Sequence, residues 1–519
     1  MKGGFHVYVL GDIPRLNGKR YPDKKALIAG DRYFTFGQLN SLTNRLAHGM
    51  LSLGVEPGYR VALLAENCLE YAVINYAVAK CGAVFVPINF RYKKAELVYV
   101  VNNSEPRVLF YGPEFPPLIE EARNEFEGPV RLAAISGDPL DSGLTLSGLM
   151  EGQPTSEPTV AVNQDWPAVI LYTSGTTGQP KGVIHSHATC FNSYTTLVVE
   201  GDMDKNEVIM IPMPLFHNGG LNMLLQPCLM MGNTAVIMGR GFDPGESLDA
   251  VGRYGITMAH WVPTQLAMIV NHPGAKKYDL TSLKKIWYGS STISPSILEA
   301  SQEIFSADFY QWFGQTETFT LTVLRPEDHI ERYHFTGREV FNNDIRVVNE
   351  KGEDTPTGEV GEIISAQKPQ GMIGYYKMAE ATRETIRDGW IHTGDLVRVE
   401  EGGYLTIVGR LKDMIVSGGE NIYPKELEDL IITHPGVKEV AVIGIPDEIW
   451  GESVCAVVVP REGYQVNEPE IIEFCAKKLS GYKKPKKIVF MENLPKNAAG
   501  KVTKNILREP FWADQKRSI

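Results

Sequence analysis

Apolar runs of strand length alternate with apolar stripes at helical spacing between Leu39 and Phe110, and that alternation confines this part of the chain to an α/β layer. Leu39, Leu42, Leu46, Met50 and Leu53 mark one helix face that stops at Gly54, and residues 59–64 follow as a buried strand. A second helix over 71–81 stops at Gly82 ahead of a strand at 83–87, and a third around 95–101 leads to the strand 107–110. The sheet is therefore expected to be largely parallel, with right-handed crossovers. An ordinary structural layer explains this region fully.

Chemistry begins after a polar, proline-containing linker at 154–167. The apolar run Ala168, Val169, Ile170, Leu171 reads as a buried strand, and beyond Tyr172 hydroxyls and glycines crowd together. Thr173, Ser174, Thr176 and Thr177 offer donors, Gly175 and Gly178 let backbone N–H groups converge on an anion, and Lys181 adds a point charge. A polyphosphate is the natural ligand. The spacing is not that of a Walker A loop. A solvated Gly/Thr turn has the same composition, so the rest of the chain must decide.

Residues 209–217 form an apolar run ending in His217, followed by Asn218, Gly219 and Gly220 and by a helix candidate over 221–231. Such a histidine is either a structural core residue or a pocket group. After Ile286 and Trp287, the residues Gly289, Ser290 and Ser291 make a strand-to-turn junction where backbone can approach a flat ligand. In the stretch Trp312, Phe313, Gly314, Gln315, Thr316, Glu317, the Phe313 ring can stack on adenine. Thr316 and Glu317 supply oxygens to Mg²⁺, which takes only one or two from protein when it rides on a polyphosphate. Alone, Gln-Thr-Glu also suits a helix N-cap. Residues 357–363 read as a hairpin turn, and Gly394 sets Asp395 where a carboxylate can accept both hydroxyls of a ribose. Gly418 and Gly419 make a turn ahead of a helix starting near Pro424.

In this order the strings Thr173 to Lys181, Gln315-Thr316-Glu317, Trp390-x-x-Thr393-Gly394-Asp395, Gly409-Arg410-Leu411-Lys412-Asp413 and Pro495-x-x-x-x-Gly500-Lys501 resemble the adenylate-forming superfamily of acyl-CoA synthetases, luciferases and nonribosomal peptide adenylation domains. The chain is most similar to fatty-acid or aryl acyl-CoA ligases. The resemblance implies an α/β fold, with a large N-terminal domain of layered α/β subdomains over 1–409 and a small mobile α+β C-terminal domain over 410–519. The hinge falls near Lys412, where some relatives carry Asp.

For ATP it implies Thr173, Ser174, Gly175, Thr176, Thr177, Gly178, Lys181, Gly289, Ser290, Ser291, Trp312, Phe313, Gly314, Thr316, Asp395, Arg410 and Lys501. Glu317, with Thr316 or Thr173, is implied to hold Mg²⁺. His217, Asn218, Gly219, Gly289, Trp312 and Gly314 are implied to border the acid, and Gly418, Gly419 and Trp450 to meet coenzyme A. Lys501, Glu317, Thr173 and His217 are the implied catalytic groups. Six lysines between 477 and 487 read mostly as a solvated face whose potential could attract the CoA phosphates.

The implied reaction joins a carboxylic acid to ATP as acyl-AMP, with loss of pyrophosphate, and then passes the acyl group to CoA. Gly314 stands where acetate-restricted relatives carry tryptophan, so the acid is expected to be longer than propionate, and Trp312 closes one wall. A medium- or long-chain fatty acid is favoured, with a coumarate- or ferulate-type aryl acid as the alternative. Loading of a carrier protein is a further alternative, although no carrier module is found in the chain. A dead nucleotide-binding regulator would be expected to have lost Lys501, Glu317 or Asp395, all of which are present. The 495–501 string is also of the kind that lysine acetyltransferases modify at Lys501 in relatives.

With 519 residues, 43% apolar and 22% charged, the composition is that of a globular protein, and 51 Lys+Arg against 62 Asp+Glu give a net charge of −11, which argues against a nucleic-acid partner. The six cysteines are scattered, so neither a zinc site nor a disulfide framework is expected. With no signal-like N-terminus and no run of 18 apolar residues, the expected compartment is the cytoplasm, and peripheral membrane contact and a homodimer remain compatible with the sequence.

Overall fold

The computed structural model describes residues 8–140, 143–173, 179–239, 241–291, 293–496 and 502–513. Its contacts divide the chain into two compact units. The first takes in the described residues up to Thr173, Gln179–Ile345 and Ser365–Ile391, and the second takes in Arg346–Ile364 and everything from His392. Residues 346–364 and 392–409 thus group with the C-terminal part.

The first unit contains two sheets, of seven and nine strands among the described residues. In the seven-stranded sheet Val84–Ile88, Arg60–Leu64, Pro106–Tyr111 and Arg131–Ala134 run parallel, and Pro167–Thr173 joins them parallel to Val84–Ile88. The connecting helices Phe36–Ser52, Leu69–Lys80 and Lys94–Ser104 lie where the apolar periodicity places them. Thr35 starts the first of these through a capping box with Gln38, a device whose loss typically costs about 1 kcal/mol. The second helix is buried on every side apart from Glu70, which is why its apolar pattern reads as a nearly continuous run.

In the nine-stranded sheet Thr234–Ile237, Val208–Ile211, Met258–His260, Lys285–Gly289 and Asp308–Gln315 run parallel, and Phe319–Leu324 returns antiparallel to the last of them. Residues 221–231 do not form a plain α-helix. Gly219–Leu225 is wound as a π-helix, and an α-helical segment, Gln226–Met230, continues it. Pro227 has no N–H for the i−4 carbonyl, and at Gly220 an added Cβ would lie 2.3 Å from the Pro214 carbonyl oxygen, so the backbone is pressed onto the preceding loop. Wide turns of this kind recur at functional sites.

A small sheet of Ile345–Val348, Val360–Ala366, Trp390–Val399 and Leu405–Arg410 falls mostly in the second unit, which also carries a sheet built on the long hairpin Val437–Asp447 with Gly451–Pro460. The helices Pro424–Ile431 and Glu468–Ala476 bury Leu427, Ile431, Ile471 and Cys475 in the core of that hairpin sheet. Among the described residues no helix is long and apolar enough to cross a membrane.

Candidate active site

Ser174, Gly175, Thr176, Thr177, Gly178 and Lys501 lie outside the described residues. Pro167–Thr173 and Lys181–Ser186 form an antiparallel hairpin in which Thr173 pairs with Lys181, so the two ends of the Gly/Thr loop are held side by side. The Thr173 hydroxyl donates to the Lys181 carbonyl at 3.4 Å.

From Lys181 the first unit leads to a group that sequence reasoning did not find. The Lys181 ammonium lies 4.9 Å from the centre of the Tyr375 ring, and the Tyr375 hydroxyl donates to Glu317 Oε1 at 2.9 Å. Gly374–Tyr375 pairs with the Lys181–Ser186 strand, and Met372 N–H donates to the Glu317 carbonyl at 2.7 Å, so the segment is pinned on both sides. Buried Gln370 ties the same segment to Thr196 and to the Thr320 carbonyl.

The Gln-Thr-Glu string is a hairpin turn rather than a helix cap. It joins Asp308–Gln315 to Phe319–Leu324, with Phe319 at φ 56°. His185, another group missed in the sequence, donates from Nε2 to the Thr316 carbonyl at 2.7 Å and stacks on Phe319. Burial lowers the His185 pKa to about 4, so the ring is neutral at ordinary pH. Gly314 is required by this hairpin, since an added Cβ would sit 1.9 Å from the Phe319 carbonyl oxygen. Its small size therefore has a structural cause independent of the acid's length.

Trp312 and Phe313 are neighbours in one strand and so point to opposite faces. Trp312 is buried against Trp287 with ring centres 4.7 Å apart, whereas Phe313 is half-buried. Gly289, at the end of the adjacent strand, pairs with Trp312, and a Cβ there would meet the Trp312 carbonyl oxygen at 2.4 Å. Ser290 holds φ 70°, a strained conformation for a residue with a side chain, and it is exposed with Ser291.

His217 ends the loop that Asn67 fixes through the Met213 carbonyl and Leu215 N–H. Its Nδ1 accepts from Gly219 N–H at 3.1 Å, which leaves the ring proton of the neutral form on Nε2. Asn218 is buried and accepts from Asn222, which in turn accepts from Tyr194.

In the second unit Asp395 is 4% exposed and its Oδ1 pairs with Arg410 Nε at 2.7 Å. Glu362 shapes the turn before it, accepting from Gly394 N–H and pairing with His392 Nδ1, both at 2.8 Å. Lys412 lies in a short turn whose carbonyls, with that of Asp413, accept from Arg508, and Arg508 also pairs with the Asp413 carboxylate at 3.2 Å. The Gly418 and Gly419 turn, at φ 62° and 87°, joins Ile415–Ser417 to Glu420–Ile422. Gly418 N–H donates to the Trp450 carbonyl at 2.8 Å, and a Cβ on Gly418 would strike the indole at 2.5 Å. Trp450 is half exposed, with the Lys486 ammonium 5.5 Å from its ring centre. Asp447 accepts from the Trp450 and Ile449 N–H groups and pairs with Lys486, which together hold its carboxyl down to about 2. Lys477 and Lys483 of the lysine run are likewise paired, with Glu473 and Glu426.

The groups present suit Mg²⁺ carried by ATP. Glu317 is a half-buried carboxylate with one oxygen engaged by a neutral hydroxyl, and Thr173 and Thr316 add hard oxygens. Among the described residues no cluster of three or more His, Cys, Asp or Glu is gathered as a metal cage. An ion held mainly by phosphate and water does not need one.

The chain is 36% identical over 503 residues to a feruloyl-CoA synthase of Amycolatopsis sp, covering 97% of this chain and 99% of the relative. It is 36% identical over 506 residues to the fatty acid–[acyl-carrier-protein] ligase ScoC of Streptomyces coeruleorubidus, covering 96% and 95%. Its fold superposes on an anthranilate CoA ligase, AuaEII, solved with anthranoyl-AMP, with a TM-score of 0.89, 28% identity and 98% of each chain covered. The family model of AMP-binding enzymes matches residues 15–376 and that of their C-terminal domain matches 426–501. The chain therefore belongs to the AMP-binding enzyme family and is an AMP-forming acyl-CoA synthetase that uses ATP, Mg²⁺ and coenzyme A.

Proposed function

We propose that the residues described above divide the ligase reaction as follows. The Gly/Thr loop and Lys181 hold the β- and γ-phosphates, Phe313 stacks on adenine, and Asp395 with Arg410 fixes the ribose. Mg²⁺, brought with ATP and held by Glu317 with Thr316 or Thr173, supplies positive charge to the phosphates. The substrate carboxylate, admitted past His217, Asn218 and Gly219, attacks the α-phosphorus. The bond to the bridging oxygen breaks, and pyrophosphate leaves with the electron pair. Lys501 offsets the charge that builds on the α-phosphate.

In the second step the CoA sulfur attacks the acyl carbonyl and AMP leaves. Rotation about Lys412, between a domain at 1–409 and one at 410–519, exchanges Lys501 for the Gly418, Gly419 and Trp450 surface. What most supports this assignment is the chain of contacts Lys181, Tyr375, Glu317, which ties the expected phosphate group to the expected metal group.

Replacing Lys501 with Ala tests the division of labour. Acyl-AMP formation is expected to fall by about 100-fold or more, whereas acyl transfer from supplied acyl-AMP to CoA is retained. Equal loss of both steps would contradict the assignment. Acetylation of Lys501 removes the same charge and is expected to have the same selective effect.

For the acid, a medium- or long-chain fatty acid and a phenylpropenoic acid are the two classes proposed. The fatty acid–carrier-protein ligase among the relatives supports the first, with a carrier-protein thiol as an alternative acceptor. The Trp287–Trp312 wall and the feruloyl-CoA synthase support the second. Pyrophosphate release across acids from acetate to palmitate, with benzoate, coumarate and ferulate, decides between them.

A further inference from the structure

In the small sheet of the second unit, Val360–Ala366 lies beside Trp390–Val399, and Leu405–Arg410 also pairs with it. The backbone N–H groups of such a strand normally go to carbonyls of its neighbours. Gly394 departs from that pattern. Its φ of 68° turns the chain out of the extended region, a conformation that glycine adopts without strain, and its N–H donates to a side chain, Glu362 Oε1, at 2.8 Å. The next residue is Asp395, the group assigned above to the ribose.

The same carboxylate takes a second donor, since Glu362 Oε2 pairs with His392 Nδ1 at 2.8 Å. Between them, the Thr393 hydroxyl donates to the Ile363 carbonyl at 2.5 Å and accepts from Asp395 N–H at 3.0 Å. His392, Thr393 and Gly394 are thus each held by Glu362 or Ile363, and through Thr393 the grip extends to the Asp395 backbone. The side chains of Glu362 and His392 are 17% and 21% exposed, so water competes weakly for these bonds. A hydrogen bond to a carboxylate is about twice as strong as one between neutral groups.

Two N–H donors converge on residue 362, one from the main chain and one from an imidazole, and a side chain with two acceptor oxygens satisfies both. Asp395 Oδ1 is met from another direction by Arg410 Nε at 2.7 Å, from the paired strand. Arg410 therefore holds the carboxylate of Asp395, and Glu362 holds the backbone that carries it. Resting on the ligase reading and on Asp395 as the ribose group, we propose that Glu362, locked by His392, is a positioning residue that sets the turn so that Asp395 meets both hydroxyls of the ATP ribose. Glu362 acts through Asp395 and does not touch the nucleotide. Its effect is accordingly confined to the discrimination between ribose and a sugar that lacks those hydroxyls.

Pyrophosphate release across the acid panel is measured with ATP and with 2′,3′-dideoxy-ATP, and binding of the same two nucleotides with Mg²⁺ is measured by calorimetry. The wild type is expected to favour ATP by at least about tenfold in kcat/KM. Glu362→Gln keeps the shape of the side chain but leaves one of the two donors without an acceptor. In that variant the preference is expected to fall to within about twofold, with the KM for the acid and the binding of dideoxy-ATP unchanged. If Glu362→Gln does not fold, His392→Ala, which frees the carboxylate, carries the same comparison and is expected to lower the preference about threefold. A preference unchanged by the substitutions, or an equal loss with both nucleotides, would overturn the positioning role and leave the ligase reading intact. No preference in the wild type would overturn the ribose assignment of Asp395 and the proposal with it. No pyrophosphate with either nucleotide and any acid would overturn the ligase reading itself.

Discussion

The Tyr375 hydroxyl is the residue-scale feature with the clearest consequence. It engages one oxygen of Glu317 and orients the other, while its ring lies against the Lys181 ammonium. Groups that orient a metal ligand typically change affinity or activity by 10- to 100-fold when removed. Tyr375→Phe is therefore expected to raise the Mg²⁺ concentration for half-maximal acyl-AMP formation about tenfold, with the KM for the acid little changed. A Mg²⁺ titration at fixed ATP reads the first, and Mn²⁺ binding to the ATP complex by electron paramagnetic resonance reads the site without turnover. Glu317 stands out in the sequence as a candidate because it sits in a compact string. Tyr375 and His185 do not, because each reaches the site from far along the chain and shows only as one more residue of a strand.

At the scale of elements, the alternation over 39–111 was read to within a few residues at each boundary, because its strands are mostly apolar and its helices bury long apolar runs. Two turns were less legible. The Gln-Thr-Glu hairpin left no mark beyond its polar residues, since the requirement for glycine at 314 comes from a carbonyl on the returning strand. The π-helix at Gly219–Leu225 depends on the loop beneath Gly220, which the helical periodicity of 221–231 does not reveal. The Gly418 and Gly419 turn was visible, and the structure adds the indole of Trp450 packed on it. Gly418→Ala would place a side chain at positive φ and against that ring. Acyl transfer to CoA is expected to fall about tenfold while acyl-AMP formation changes by less than about twofold. Rapid-quench measurement of each half-reaction checks this. Comparable loss in both would remove the turn from the thioester step.

At the scale of the molecule, His185, His187 and His260 are buried, and burial lowers each pKa from 6.5 to about 4. As pH falls below 6.5 the unfolded chain takes up protons that the folded chain refuses, so stability declines until the folded pKa is reached. Each group contributes on the order of 3 kcal/mol across that window. The melting temperature of the first unit is accordingly expected to fall from about pH 6.5 to about pH 4 and to flatten for this contribution below that. Circular dichroism melts across the range test it, and a melting temperature constant from pH 6.5 to 4 would contradict it. A large N-terminal part with a small C-terminal one was legible, but the grouping of 346–364 and 392–409 with the C-terminal residues was not, because it rests on strand pairing between distant segments.

The central claim is that this chain makes acyl-CoA through acyl-AMP. The most direct measurement is a single turnover with ATP, Mg²⁺ and the preferred acid, products identified by mass spectrometry, first without CoA and then with it. One pyrophosphate released per acyl-AMP without CoA, followed by acyl-CoA and AMP when CoA is added, is the predicted result. Release of ADP and phosphate, or acyl-CoA appearing without an acyl-AMP precursor, would contradict it.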